Sequence, residues 1–176
     1  MRTKKQDELI NTFLDGINDD LRPIYYEIVN CLSKNGYNPQ KERSNISFKH
    51  DLHNKQMAKM GMKKGKNKQE NPFFALRFSA CNGYSHKFEE IVSSAIIKYP
   101  TRASRCIGGN CNFCAGEPDS HIYSFVLPDG EKKTHCGAYV LEIPDICKED
   151  LDEITELIRE EHIYLMKNQV GIETNF

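Results

Sequence analysis

The sequence predicts an α+β fold: an N-terminal helical hairpin, a mostly antiparallel sheet, a C-terminal helix, and a Cys-rich loop clipped to a β-hairpin. Three observations predict it. Apolar residues recur at helical spacing near both ends of the chain. Two strand-like segments flank a turn signal, Pro128-Asp129-Gly130, and so form a hairpin. The helices are segregated from the strands, which is the arrangement of an α+β domain with hairpin-connected strands.

Each element has its own signal. Leu9, Ile10, Phe13, Leu14, Ile17 and Leu21 share one helical stripe, and Thr3-Lys4-Lys5-Gln6 reads as a capping box before it. Pro23 suits the first turn of a second helix carrying Ile24, Tyr25, Ile28, Val29 and Leu32. Asn35-Gly36 ends that helix, because glycine accepts left-handed backbone. Residues 44–49 alternate like a short strand, and Lys55 to Lys68 read as a solvated loop. Phe73 to Ala80 is the strongest strand, with Phe74, Leu76, Phe78 and Ala80 on one face. A third helix carries Phe88, Ile91, Val92, Ala95, Ile96 and Tyr99, with Ser85 as N-cap and Pro100 after it. Residues 121–127 and 134–141 are the two hairpin strands, and a last helix runs from Glu149 to Lys167.

The 176 residues suit one domain, so 1–176 is taken as a single α+β domain with a metal-binding subregion at 106–136. Lys+Arg number 24 against Asp+Glu 25, a formal net charge of -1, so no global field recruits nucleic acid or an anionic membrane. No apolar run approaches the roughly 18 residues of a membrane span. The charged start, Met1 to Glu8, leads into no apolar stretch of the kind a secretion signal needs, so the expected location is cytoplasmic.

Seven cysteines are present, an odd number that argues against a complete disulfide framework. Cys31, Cys81 and Cys147 are scattered and read as small core residues. The others are spaced Cys106-x4-Cys111-x2-Cys114-x21-Cys136. Thiolates three apart on a tight turn can face one point, and the hairpin turn brings Cys136 back toward the loop. Four thiolates then close a tetrahedron, as structural zinc requires. His121 and His135 are reserve ligands; His135 and Cys136 are strand neighbours on opposite faces, so only one belongs to the set.

The stretch Cys106-Ile107-Gly108-Gly109-Asn110-Cys111-Asn112-Phe113-Cys114-Ala115-Gly116 resembles the C-x4-C-x2-C cluster loop of plant-type 2Fe–2S ferredoxins. That resemblance covers eleven residues and implies a 2Fe–2S cluster on Cys106, Cys111, Cys114 and Cys136 in an electron-transfer module. The order of helical hairpin, Ile46-to-Lys49 strand, Phe73-to-Ala80 strand, helix, hairpin and terminal helix looks like small bacterial YdhG-like α+β proteins. This second resemblance implies a frataxin-like iron-chaperone role. Glu149, Asp150, Asp152, Glu153 and Glu156 form the acidic ridge such a role would use; they also suit a helix N-terminus electrostatically.

Lys59, Lys63, Lys64 and Lys66 are the candidate phosphate contacts, but no aromatic residue interleaves the run to stack bases, and it reads as a solvated face. His50 and His53, three apart in a polar loop, read as binding nothing. No Gly-rich phosphate loop, nucleophile elbow or paired-carboxylate motif asks for an enzyme. The expected function is a binding module for a protein or small molecule, held together by a four-cysteine zinc site.

Overall fold

A computed structural model describes residues 2–65, 69–79, 83–108 and 122–170. Two helices open the chain, α1 (Lys4–Asp15) and α2 (Arg22–Lys34). Strands β1 (Tyr37–Glu42), β2 (Asn45–His50), β3 (Gln56–Lys64) and β4 (Glu70–Leu76) follow as a meander. Then come α3 (His86–Lys98), a single turn α4 (Ser104–Ile107), the hairpin β5 (Ile122–Val126) and β6 (Lys132–Cys136), and a short β7 (Leu141–Ile143). A 3-10 turn (Lys148–Asp150) leads into α5 (Leu151–Val170). The main sheet has the order β1-β2-β3-β4-β7, every pair antiparallel, and β5-β6 form a separate two-stranded sheet. This is the α+β architecture the sequence predicts. No described helix is long and apolar enough to cross a membrane.

The capping box is present: Thr3 accepts from the Gln6 amide while the Gln6 side chain accepts from the Thr3 amide. The register explains the core. Tyr37 lies opposite His50, Phe48 opposite Ala58, Met60 opposite Phe74, and Leu76 opposite Leu141, so all of them share one face. All but His50 are hydrophobic, and they pack with Ile28, Leu32, Phe88 and Ile158 from the helices. The opposite face carries charge. There Lys59 pairs with Glu42 at 3.8 Å and Lys63 pairs with Glu142.

Four expectations need correction. The lysine stretch is not a solvated loop: Gln56–Lys64 is β3, a central strand, with Met57, Ala58 and Met60 fully buried. The apolar residues between the lysines carry the strand, and Lys59 and Lys63 lie on its polar face. Residues 37–42, read as no element, form edge strand β1; Pro39 is tolerated there because an edge leaves one row of amides unpaired. The segment 134–141 is not one strand. A turn at Gly137-Ala138 divides it, sending β6 to the hairpin and β7 to the main sheet. Cys147 is exposed and Cys31 half-buried, so neither is a fully buried core residue; Cys81 lies outside the described residues.

Gly36 sits at φ 81° just after α2. A Cβ there would lie 2.8 Å from His50 Nε2. Gly36→Ala therefore combines left-handed strain with a clash, and is expected to cost about 1–2 kcal/mol. Urea denaturation of the variant measures it; an unchanged midpoint would show that the turn relaxes without cost.

Candidate metal centre and histidine cluster

Cys106 sits in α4, with 4% of its surface exposed. Cys136 ends β6, with 3% exposed, on the rung opposite Ile122. The stretch holding Cys111 and Cys114 thus leaves from α4 and rejoins the described chain beside Cys136. On that face of the hairpin Ser124, Val126, Lys132 and Thr134 are exposed, yet Cys136 at its open end is covered. Arg102 ties the two cysteines to one region. Its guanidinium lies 3.7 Å from the Tyr99 ring centre and 4.1 Å from that of Tyr139, so the base of α4 stacks on the chain just after Cys136.

His135 faces the other side of the hairpin, as strand alternation requires, edge-on to Tyr123 opposite it. It is 1% exposed, and its Nε2 has no hydrogen-bond partner among the described residues. Burial first, and Arg102 second, push its pKa down to about 4, so the ring is neutral at pH 7. Cys111, Cys114 and His121 lie outside the described residues, as does Lys66. Among the described residues, no group of three His, Cys, Asp or Glu side chains is arranged to hold a metal ion. Of the candidate phosphate contacts, Lys59 and Lys63 are taken up in ion pairs, and Lys64 is exposed at the end of β3.

The acidic ridge is an interhelical tie. Glu153 accepts hydrogen bonds from the Ser85 amide and hydroxyl, both at 2.6 Å, and so caps α3 from α5. Asp150 is buried, accepts from the Cys147 amide and pairs with Lys87 at 2.6 Å. Glu156 pairs with Arg159 along the helix.

A second constellation was only half visible in the sequence. His50 and His53 stack face to face with ring centres 4.0 Å apart, and His162 of α5 lies 5.7 Å from His50. Tyr37 touches all three rings, and its hydroxyl is 3.3 Å from His162 Nδ1. His50 Nδ1 accepts from the Leu52 amide and His53 Nδ1 from the Lys55 amide, which fixes the tight turn between β2 and β3. Burial lowers the pKa of all three; His53 is pushed down to about 4, with His50 and Lys55 adding to the effect. Beside them Arg77 and Glu161 form a buried ion pair at 3.9 Å. Parallel rings in van der Waals contact cannot aim their nitrogens at one ion, so this cluster is an interlock rather than a metal site. His162, Arg77 and Glu161 carry no local motif, and only the packing of α5 on the sheet brings them there.

Comparison with family models, with curated proteins and with solved structures gives no match.

Proposed function

We propose that this chain is a cytoplasmic binding module whose C-terminal part is clipped by a structural zinc ion on Cys106, Cys111, Cys114 and Cys136. One observation carries the reading. Cys106 and Cys136 are both buried, at the two ends of the stretch that holds Cys111 and Cys114, and the Tyr99–Arg102–Tyr139 stack joins those ends. The donor set suits the ion: Cys106 and Cys136 are buried thiols, the ligand type structural zinc prefers, while His135 faces the other side of the hairpin and stands outside the set. Bound zinc supplies a four-way crosslink between thiolates and no chemistry of its own. The hairpin has little apolar material to hold it otherwise, with Val126 61% exposed and Tyr123 and Leu127 its buried hydrophobics besides Cys136. Metal binding then becomes folding energy. The cytoplasm keeps such thiols reduced and available.

Metal analysis and a visible spectrum of freshly purified, reduced protein test this. The expected result is a colourless protein with about one zinc per chain. Iron with sulfide and a brown colour would replace zinc by a 2Fe–2S cluster on the same residues, and a metal-free, fully folded chain would end both. Cys111→Ser is expected to lower zinc content and thermal midpoint together, the latter by about 5 °C, the change roughly 2 kcal/mol makes in a chain this size. Full zinc occupancy in that variant would remove Cys111 from the ligand set. The iron-chaperone alternative has less to draw on, because Asp150 and Glu153 are already bonded to α3.

A further inference from the structure

β7 is the last strand of the main sheet, and no described residue pairs with its outer edge. Between that edge and α3 runs a groove of about 650 Å³. Ile91 and Ala95 from the helix, with Val140, Leu141 and Pro144 from the β7 segment, give it an apolar floor. The charged residues along it are not equally available. Lys87 is paired with Asp150 and Glu142 with Lys63. Lys98 and Arg102, at one end, have no carboxylate partner among the described residues; both lie over the Tyr99 ring. The Arg102 guanidinium lies over both the Tyr99 and the Tyr139 ring, and no described carboxylate takes up its N–H groups. A guanidinium fixed in this way matches the two oxygens of a carboxylate.

We infer that this groove binds an extended peptide segment, its main chain pairing with β7 and a carboxylate seated on Arg102 and Lys98. Pairing with a sheet edge supplies affinity, while pockets for alternate side chains supply selection. The dimensions agree. From Lys87 to Lys98 the helix wall is roughly 16 Å long at 1.5 Å per residue, about the span of five extended residues. Charge complementarity selects an acidic peptide over nucleic acid: the free cations occupy only one end, and Glu90 and Glu142 line the rest. The site stands on residues 87–102 and 139–144; its Arg102 end shares the Tyr99–Arg102–Tyr139 stack with the proposed zinc clip and in that part rests on the proposed function, so the groove is tested on the zinc-loaded chain.

Selection of a displayed library of random heptapeptides on the zinc-supplemented full chain tests the inference. The expected winners alternate apolar residues and carry an Asp, a Glu or a free C-terminal carboxylate. Amidating or neutralising that carboxylate, or making Arg102→Ala, should weaken binding at least tenfold. Ser94 is exposed on the groove wall, and Ser94→Trp puts a large ring in the groove while leaving Arg102, Tyr99 and Tyr139 in place, so it guards against a misfolded Arg102 variant. It should abolish binding, and in the wild type the amide resonances of 141–143 should shift on titration. Failure to enrich any peptide, winners that bind both variants as well as wild type, or retention of single-stranded DNA in their place would overturn the proposal.

Discussion

Arg77→Ala is expected to lower the unfolding free energy by about 3–5 kcal/mol, the usual effect of removing one partner from a buried ion pair. Arg77 is 4% exposed and Glu161 fully buried, with Nε and Oε2 at 3.9 Å. Arg77 also donates from Nη1 to the Gln56 carbonyl at 3.1 Å, while its own amide bonds the Met57 carbonyl. Losing the guanidinium removes the positive charge that faces the buried Glu161 carboxylate, beside Tyr37, whose phenol burial already pushes toward its neutral form. The pair need not itself be a net source of stability. The double variant Arg77→Met, Glu161→Leu replaces both charges by apolar groups of comparable size and should recover most of the loss. Urea titrations of the three proteins at pH 7 decide it. A single-variant loss under about 1 kcal/mol, in the range of exposed pairs, would show that water reaches Glu161.

Why these residues escaped a reading of the sequence is a physical matter. Local rules placed the elements whose cause is local: the Thr3–Gln6 capping box, Pro23 in the first turn of α2, Gly36 and Gly130 at positive φ. The lysine stretch misled because its composition is polar while its pattern is not. In Lys59-Met60-Gly61-Met62-Lys63 the apolar residues fall on the core face, and the polar face is neutralised by Glu42 and Glu142 from other strands. Those partners lie far away in sequence, so a charge run looked unpaired. The segment 134–141 misled because one turn of a Gly-Ala pair can move a chain from one sheet to another. Cys106, Cys136 and His135 stand out in the sequence by spacing and residue type, and the structure shows all three buried. The histidine interlock does not stand out, because it requires knowing that α5 crosses the sheet where β2 ends. His50 and His53 alone look like two polar residues in a loop.

That interlock makes a sharper prediction about acid. An unperturbed histidine titrates near pH 6.5, whereas His53 in the fold titrates at about 4, with His50 and His162 also held below their ordinary value. The folded state therefore binds fewer protons than the unfolded chain between these limits. The stabilising contribution is complete above about pH 6.5 and is lost progressively as pH falls toward 4. Burial is the first cause for each ring. The neighbours that matter besides are Lys55 and Arg77, which oppose a positive charge on His53, and Asp51, which favours one on His50. A tenfold loss of proton affinity on folding corresponds to about 1.4 kcal/mol. His53 alone is then expected to cost the fold roughly 2–3 kcal/mol between pH 7 and pH 4, after a discount for its partial exposure. His53→Gln removes the titration while keeping a polar side chain in the turn. The decisive quantity is the difference in unfolding free energy between wild type and this variant at pH 7.5 and at pH 4.5, since carboxylate and metal effects common to both cancel. The variant should be the weaker protein at pH 7.5, where stacking and the Lys55 amide bond are lost, and the gap should close or reverse at pH 4.5. Two parallel curves would mean that His53 takes up its proton without leaving the stack, so that the β2–β3 turn is held by backbone pairing rather than by the neutral rings.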